Sequence, residues 1–156
     1  MQGGTLNGCG AMDGLEIFEL KEACDCYVEP VNRLLAQLSS SGACIDAAQL
    51  QALVECEASH LFLARYNGEV VAMLTLGEYL APTGRKMWIE DVVVDTAARG
   101  LSIGRAMVEH AIGYARGLGN GALMLTSRPS RVAANALYRS CDFEQRETNV
   151  YKMDIK

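Results

Sequence analysis

Residues 88–106 constrain the fold of this chain more than any other stretch. They read Trp-Ile-Glu-Asp-Val-Val-Val-Asp-Thr-Ala-Ala-Arg-Gly-Leu-Ser-Ile-Gly-Arg-Ala. An apolar, β-branched run ends at Val94, a short polar turn follows, and a helix opens near Ser102. A strand feeding a glycine-containing turn and then a helix leaves backbone N–H groups unpaired at the positive end of the helix dipole. That combination attracts phosphate. Arg99 and Arg105 bracket the turn with charge. Two familiar phosphate patterns do not fit. Gly100 and Gly104 lack the third glycine of the dinucleotide fingerprint, and no Gly-Lys-Ser/Thr follows as a nucleoside triphosphate loop requires. A different phosphate-bearing ligand is needed, and until one is named a purely structural turn stays open.

The second half of the chain narrows the choice. Residues 122–127, Ala-Leu-Met-Leu-Thr-Ser, read as a buried strand, and Arg128-Pro129-Ser130-Arg131 as a turn and helix start. The helix carries Ala133, Ala134, Asn135, Leu137 and Tyr138, and the chain then reaches Cys141-Asp142-Phe143. In these two blocks the chain resembles the GNAT superfamily of N-acetyltransferases. That family's pattern Arg/Gln-x-x-Gly-x-Gly/Ala falls on Arg99, Ser102 and Gly104, with Ser102 in a glycine's place. Its later pattern falls on Ala134, Asn135, Leu137, Tyr138 and Phe143, with Asp142 in a glycine's place. The resemblance runs from about Leu61 to the C-terminus. Ser102 keeps its N–H and adds a hydroxyl, so phosphate binding survives the change unless the position demands φ > 0. Asp142 sits where a helix end wants a left-handed residue, a conformation aspartate tolerates.

Composition sets limits. At 156 residues the chain is most simply one domain, residues 13–156, behind a glycine-rich flexible leader, residues 1–12. Half the residues are hydrophobic and the formal net charge is −5, which suits a globular protein and argues against nucleic acid. No apolar run approaches the ~20 residues of a bilayer span, so no membrane partner is expected. The six cysteines, Cys9, Cys24, Cys26, Cys44, Cys56 and Cys141, read as free thiols in a reducing cytoplasm. Neither they nor His60 and His110 form a metal-ligand motif.

Periodicity lays out the elements. Residues 15–20 alternate as a strand, and residues 23–38 place Val31, Leu34, Leu35 and Leu38 on one helical face, with Pro30 as a kink or a break. A serine-rich loop follows, and Asp46 caps a second helix carrying Leu50, Leu53 and Val54. Asn67-Gly68 between residues 61–66 and 69–80 predicts a hairpin, and Pro82-Thr83-Gly84 a further turn into the strand ending at Val94. Residues 102–118 form a helix, and residues 147–155 a final strand. The fold class is α/β (α+β), a mixed and mostly antiparallel sheet with helices on both faces. The resemblance adds that the strand ending at Val94 and the strand from Ala122 run parallel and splay apart around a cofactor arm.

Acetyl transfer from a thioester to an amine needs a neutral amine, although a lysine-like amine has a pKa near ~10.4 in water. It also needs a donor for the developing oxyanion and a proton for the departing thiolate. The resemblance implies acetyl-coenzyme A as acyl donor, without a metal. Backbone groups of Val92, Val93 and Val94 would hold its pantetheine arm. Those of Arg99, Gly100, Leu101, Ser102, Ile103, Gly104 and Arg105 would hold its pyrophosphate, and Asn135 would face it. On residues alone Tyr138 reads first as a helix anchor in the core, and the resemblance reverses this to make it the general acid toward the thiolate. Glu90 interrupts an apolar strand, where a carboxylate is costly unless solvated or paired, and is the candidate general base acting through water. Asp91, placed on the opposite face by alternation, or water alone, are the alternatives. Arg128 and Arg131 either meet the 3′-phosphate or lie in solvent. Tyr79, Trp88 and residues 39–43 are candidate walls for the acceptor.

The function this predicts is transfer of an acetyl group to a primary amine, of a small molecule, peptide or protein, by direct attack in a ternary complex. The protein would be a monomer or homodimer. A non-catalytic acyl-coenzyme A sensor would keep residues 99–105 and need neither Tyr138 nor Glu90. An acyltransferase for a larger acyl group would differ in the volume beside the thioester.

Overall fold

The computed structural model describes residues 12–38 and 41–156. Ten elements follow one another: β1 (Leu15–Glu19), α1 (Asp25–Leu38), α2 (Ala47–Glu55), β2 (Ser59–Tyr66), β3 (Glu69–Ala81), β4 (Gly84–Val94), a 3-10 turn (Thr96–Ala98), α3 (Ile103–Leu118), β5 (Gly121–Leu125) and α4 (Val132–Ser140). The residues divide into two compact units, one ending at Thr126 and the other spanning Ser127–Lys156.

The first unit is built on a five-stranded sheet in the order β1-β2-β3-β4-β5. Neighbours from β1 to β4 are antiparallel, and β4 and β5 are parallel. Local chemistry accounts for much of it. The Asn67-Gly68 turn has φ of 47° and 88°, the left-handed pair that a two-residue hairpin requires. Asp46 accepts a hydrogen bond from the Gln49 N–H at 2.7 Å and donates its own N–H to the Gln49 side chain at 2.8 Å, a complete capping box on α2. Helix α1 continues through Pro30 rather than breaking into two. The carbonyl that loses its partner belongs to exposed Cys26, near the helix start, where it is open to solvent.

Strand alternation sends side chains to two layers. Leu61, Leu63, Met73 and Val93 pack with Val31, Leu34 and Leu50, so α1 and α2 cover one face. Phe62, of opposite parity, meets His110 and Tyr114 of α3 at ring separations of 5.0 and 5.1 Å, so α3 covers the other. Gly121 opens β5 because a Cβ there would lie 2.7 Å from the Arg85 carbonyl oxygen. On the α3 face His60 is a buried polar side chain. Its Nδ1 lies 2.8 Å from a Glu19 carboxylate oxygen and 3.0 Å from the Tyr114 hydroxyl, and its Nε2 lies 3.9 Å from Glu78. Lys21 and Arg85 pair with the two carboxylates from outside.

In the second unit, α4 ends at Cys141 and Asp142 takes φ of 66°, the left-handed conformation expected there. Two expectations are corrected. Residues 147–155 form no strand: Val150, Tyr151, Met153 and Ile155 are exposed, and the sheet ladder pairs with none of them. An alternating pattern becomes a strand only when a partner takes its backbone hydrogen bonds. Cys24 and Cys26 are also not free thiols but a disulfide that ties the residue before α1 to its first turn, with Cα atoms 5.1 Å apart, within the range such a bridge spans. Cys44 and Cys56 are exposed thiols, and Cys9 lies outside the described residues. No helix among the described residues is long and apolar enough to cross a membrane.

Candidate active site

Pairing between β4 and β5 runs from Arg85↔Gly121 to Ile89↔Leu125 and stops there. β4 continues from Glu90 to Val94. Beyond Ile89 that strand therefore presents backbone groups on the side where β5 no longer pairs, the opening expected of a splayed parallel pair. Val92, Val93 and Val94 all lie along it. Val93 is buried toward α1, and the Val94 carbonyl already accepts a bond from the Arg99 Nε at 3.3 Å.

A bulge sits at the start of this segment. Thr75 pairs with Glu90 and Met73 with Val93, so Asp91 and Val92 together oppose Leu74. Asp91 takes φ of 52°. The bulge shifts the alternation: Ile89 and Val93 share sequence parity yet face opposite layers. Simple alternation, which put Asp91 opposite Glu90, does not describe this strand. Glu90 shares the α1 face with Val93, and Trp88 is two residues back on that side, about 7 Å along the strand. Tyr79 pairs with Lys86 near the far hairpin end.

Glu90 and Asp91 keep contact with solvent, yet both carboxyls are held above the usual carboxylate range. For Glu90 the main cause is partial burial, with the Asp91 charge adding to it; for Asp91 it is burial. A carboxylate displaced upward by its surroundings is better matched to proton transfer near neutrality than an ordinary one.

Past Val94 the chain turns into α3. Gly100 has φ of 82° and Ser102 φ of 57°. The condition that makes the glycine-to-serine change costly is thus met, since Ser102 occupies the left-handed region with no side-chain cap bond. The first helical bond of α3 runs from the Ala106 N–H to the Ser102 carbonyl at 3.1 Å. The N–H groups of Ile103 and Gly104 precede it, at the positive end of a 16-residue helix. Alternating left-handed residues before a helix start form a backbone concavity of the kind that holds phosphate. Buried Ile103 anchors it, while Leu101 is exposed. Arg99 is exposed, and Arg105 pairs with Glu109 one turn on at 3.2 Å.

Tyr138 and Asn135 belong to the second unit. Tyr138 is buried, its ring edge-on to Phe143 at 6.1 Å, and burial raises its phenol pKa against the opposing charge of Arg131. It therefore keeps its proton at neutral pH. Asn135 donates its side-chain N–H to the Arg128 carbonyl at 2.9 Å, closing the turn before α4. Arg128 and Arg131 are exposed, and residues 39–40 lie outside the described ones.

Three contributors have no local signal strong enough to single them out in the sequence: Arg33 and Gln37 of α1, which reach the turn at Asp95 and Thr96, and the bulge at Asp91. Asp95 alone is legible, because aspartate ahead of a turn accepts a nearby N–H, here that of Ala97 at 3.0 Å. Among the described residues no cluster of three His, Cys, Asp or Glu side chains is placed to hold a metal.

A mostly antiparallel sheet with one parallel pair, followed by a left-handed turn into a helix start, is the architecture that the resemblance to acyl-coenzyme A-dependent transferases anticipates. The sequence profile of the GNAT acetyltransferase family matches residues 22–143, and the chain belongs to that family. It is an N-acetyltransferase, of a family that moves acetyl from acetyl-coenzyme A to amines. It is similar to glucosamine 6-phosphate N-acetyltransferase 1 of Oryza sativa subsp. japonica, 28% identical over 126 residues, covering 75% of this chain and 74% of that protein. Its fold matches an aminoglycoside acetyltransferase from an uncultured soil metagenomic sample, with a TM-score of 0.79 at 19% identity over 92% of this chain and 98% of that one. It also matches glucosamine-6-phosphate N-acetyltransferase from Arabidopsis thaliana, with a TM-score of 0.74 at 21% identity over 89% and 97%.

Proposed function

We propose that this protein transfers an acetyl group from acetyl-coenzyme A to a primary amine by direct attack in a ternary complex, with residues 13–156 acting as one catalytic domain. The observation that carries the reading is the β4 segment from Glu90 to Val94, free of β5 and leading into the left-handed turn at Gly100 and Ser102. Backbone groups of Val92 and Val93 hold the pantetheine arm, and the first-turn N–H groups of α3 hold the pyrophosphate. Glu90, through water, takes a proton from the ammonium. The freed amine attacks the thioester carbonyl, the carbon–sulfur bond breaks, Tyr138 gives its proton to the leaving thiolate, and the acetylated nitrogen sheds its surplus proton through water, which restores the phenol. Burial of the Tyr138 phenol supports that role, because a donor must reach the step protonated.

Two of the similar proteins are named for amine-bearing sugar acceptors, glucosamine 6-phosphate and an aminoglycoside. The acceptor panel therefore starts with glucosamine 6-phosphate and an aminoglycoside, then a polyamine and a peptide N-terminus. Thiol release is the readout. Binding comes first: coenzyme A should raise the melting temperature, because a ligand held by the native state alone stabilises it. No shift at saturating coenzyme A would overturn the reading. A shift without thiol release from any acceptor would leave an acyl-coenzyme A sensor in its place.

A further inference from the structure

We propose that Gln37 and Arg33, on helix α1, are positioning residues for the cofactor's pyrophosphate, acting through the turn between β4 and α3; the inference rests on the acetyl-coenzyme A reading above. The turn that carries Gly100 and Ser102 is an unfavourable one. Ser102 is a non-glycine residue in the left-handed region with no side-chain bond to hold it there. Such conformations persist only where the surroundings fix the chain on either side. On the α3 side, buried Ile103 does so. On the β4 side, the hold comes from a helix some sixty positions earlier in the chain.

The contacts form a chain. The Thr96 N–H donates to the Gln37 side-chain oxygen at 2.9 Å. The Arg33 guanidinium donates to the Val70 carbonyl at 2.7 Å, and its Nε lies 3.4 Å from the Asp95 carboxylate. Asp95 in turn donates its N–H to the Val71 carbonyl at 2.7 Å and accepts from the Ala97 N–H at 3.0 Å. Arg33 and Gln37 are four apart on α1, so both reach the turn from one helix face. Their targets, Asp95 and Thr96, open the turn that leads through buried Ala98, whose N–H donates to the Asp95 carbonyl at 2.9 Å, to Arg99. Helix α1 also covers the sheet face that carries Glu90, so the element bracing the phosphate turn lies on the side where the amine is activated.

The brace is polar and the Thr96 end is open to solvent. Removing it should therefore loosen the turn without unfolding the sheet. Gln37→Met keeps the length of the side chain and removes the acceptor. One neutral hydrogen bond is worth about a three- to tenfold change in an equilibrium. Titration calorimetry should show coenzyme A binding weakened by about that factor, and the KM for acetyl-coenzyme A should rise with it while kcat at saturation holds. Acetyl-pantetheine, which carries the thioester but no pyrophosphate, should be used with unchanged kcat/KM. Thr96→Pro supplies the control: proline suits the first position of such a turn and has no N–H for Gln37 to accept. In that background Gln37→Met should cost nothing further. Equal coenzyme A affinity in Gln37→Met and wild type, an equal loss with acetyl-pantetheine, or the same loss in the Thr96→Pro background would each overturn the proposal. If the wild type itself fails to bind coenzyme A, the underlying reading fails and the proposal with it.

Discussion

Gly100 and Ser102 should respond to substitution with opposite signs. Both lie in the left-handed region, at φ of 82° and 57°. For an L-residue with a side chain that region costs about 1–2 kcal/mol. Open space surrounds the Cα of Gly100, with no atom within 4 Å of where a Cβ would stand, so Gly100→Ala introduces conformational strain and no clash. Alanine recovers about 0.4–1 kcal/mol by restricting the unfolded chain, which leaves a net loss of up to about 1.6 kcal/mol. Ser102→Gly runs the other way. It releases the strain already present and gives back a smaller amount of unfolded-state entropy, for a net gain of about 0.5 kcal/mol. Urea unfolding at constant m-value resolves differences of this size, and in a chain of this length each kcal/mol moves the melting temperature by about 2–4 °C. An ordinary surface serine would lose stability on becoming glycine. If Ser102→Gly is destabilising and Gly100→Ala is neutral, the two residues are not left-handed and the backbone concavity ahead of α3 does not exist.

Glu90→Gln should lower kcat/KM at neutral pH and recover part of the loss as pH rises, because bulk base then supplies neutral amine. The wild-type acid limb should lie above the ordinary glutamate range, since burial and the Asp91 charge raise this carboxyl, and parallel pH profiles for the two proteins would remove Glu90 as the base. The same upward shift means the fold binds the Glu90 proton more tightly than the unfolded chain does. Stability is thus lost as pH rises from the ordinary value through the folded one, and Glu90→Gln should melt no lower than wild type at neutral pH. Tyr138→Phe should reduce kcat by on the order of 10²-fold while coenzyme A affinity holds, and equal turnover would leave Tyr138 as a helix anchor. Burial tends to raise the Glu19 carboxyl, but hydrogen bonds from Lys21 and His60 outweigh it and hold the pKa below the usual range. Its stabilising share is therefore present above the ordinary glutamate pKa and lost as pH falls through the lower folded value. Glu19→Gln should flatten the acid side of the melting-temperature profile, and an unchanged profile would mean that the Glu19 contacts do not persist in solution.

Where a cap or a turn residue announces an element locally, the chain forms it. Asp46 with Gln49, Asn67 with Gly68, and the β-branched run into Arg99 and Gly100 each act within a few residues, where backbone preference and one side-chain bond decide the outcome. The family was legible for the same reason, since its two blocks are short and contiguous. Other features depended on partners distant in sequence. The bulge at Asp91 exists because β3 pairs Thr75 with Glu90 and Met73 with Val93, a register no alternation in β4 alone discloses. Residues 147–155 carry a strand pattern without a strand, because pairing, not pattern, satisfies a backbone. Gln37 reaches Thr96 and His60 sits between Glu19 and Glu78 only because the sheet and its helices have already packed. The sequence by itself determined most of the elements and the class of chemistry, through interactions a few residues long. The tertiary structure decided which side chains support the site, because those contacts join segments tens of residues apart.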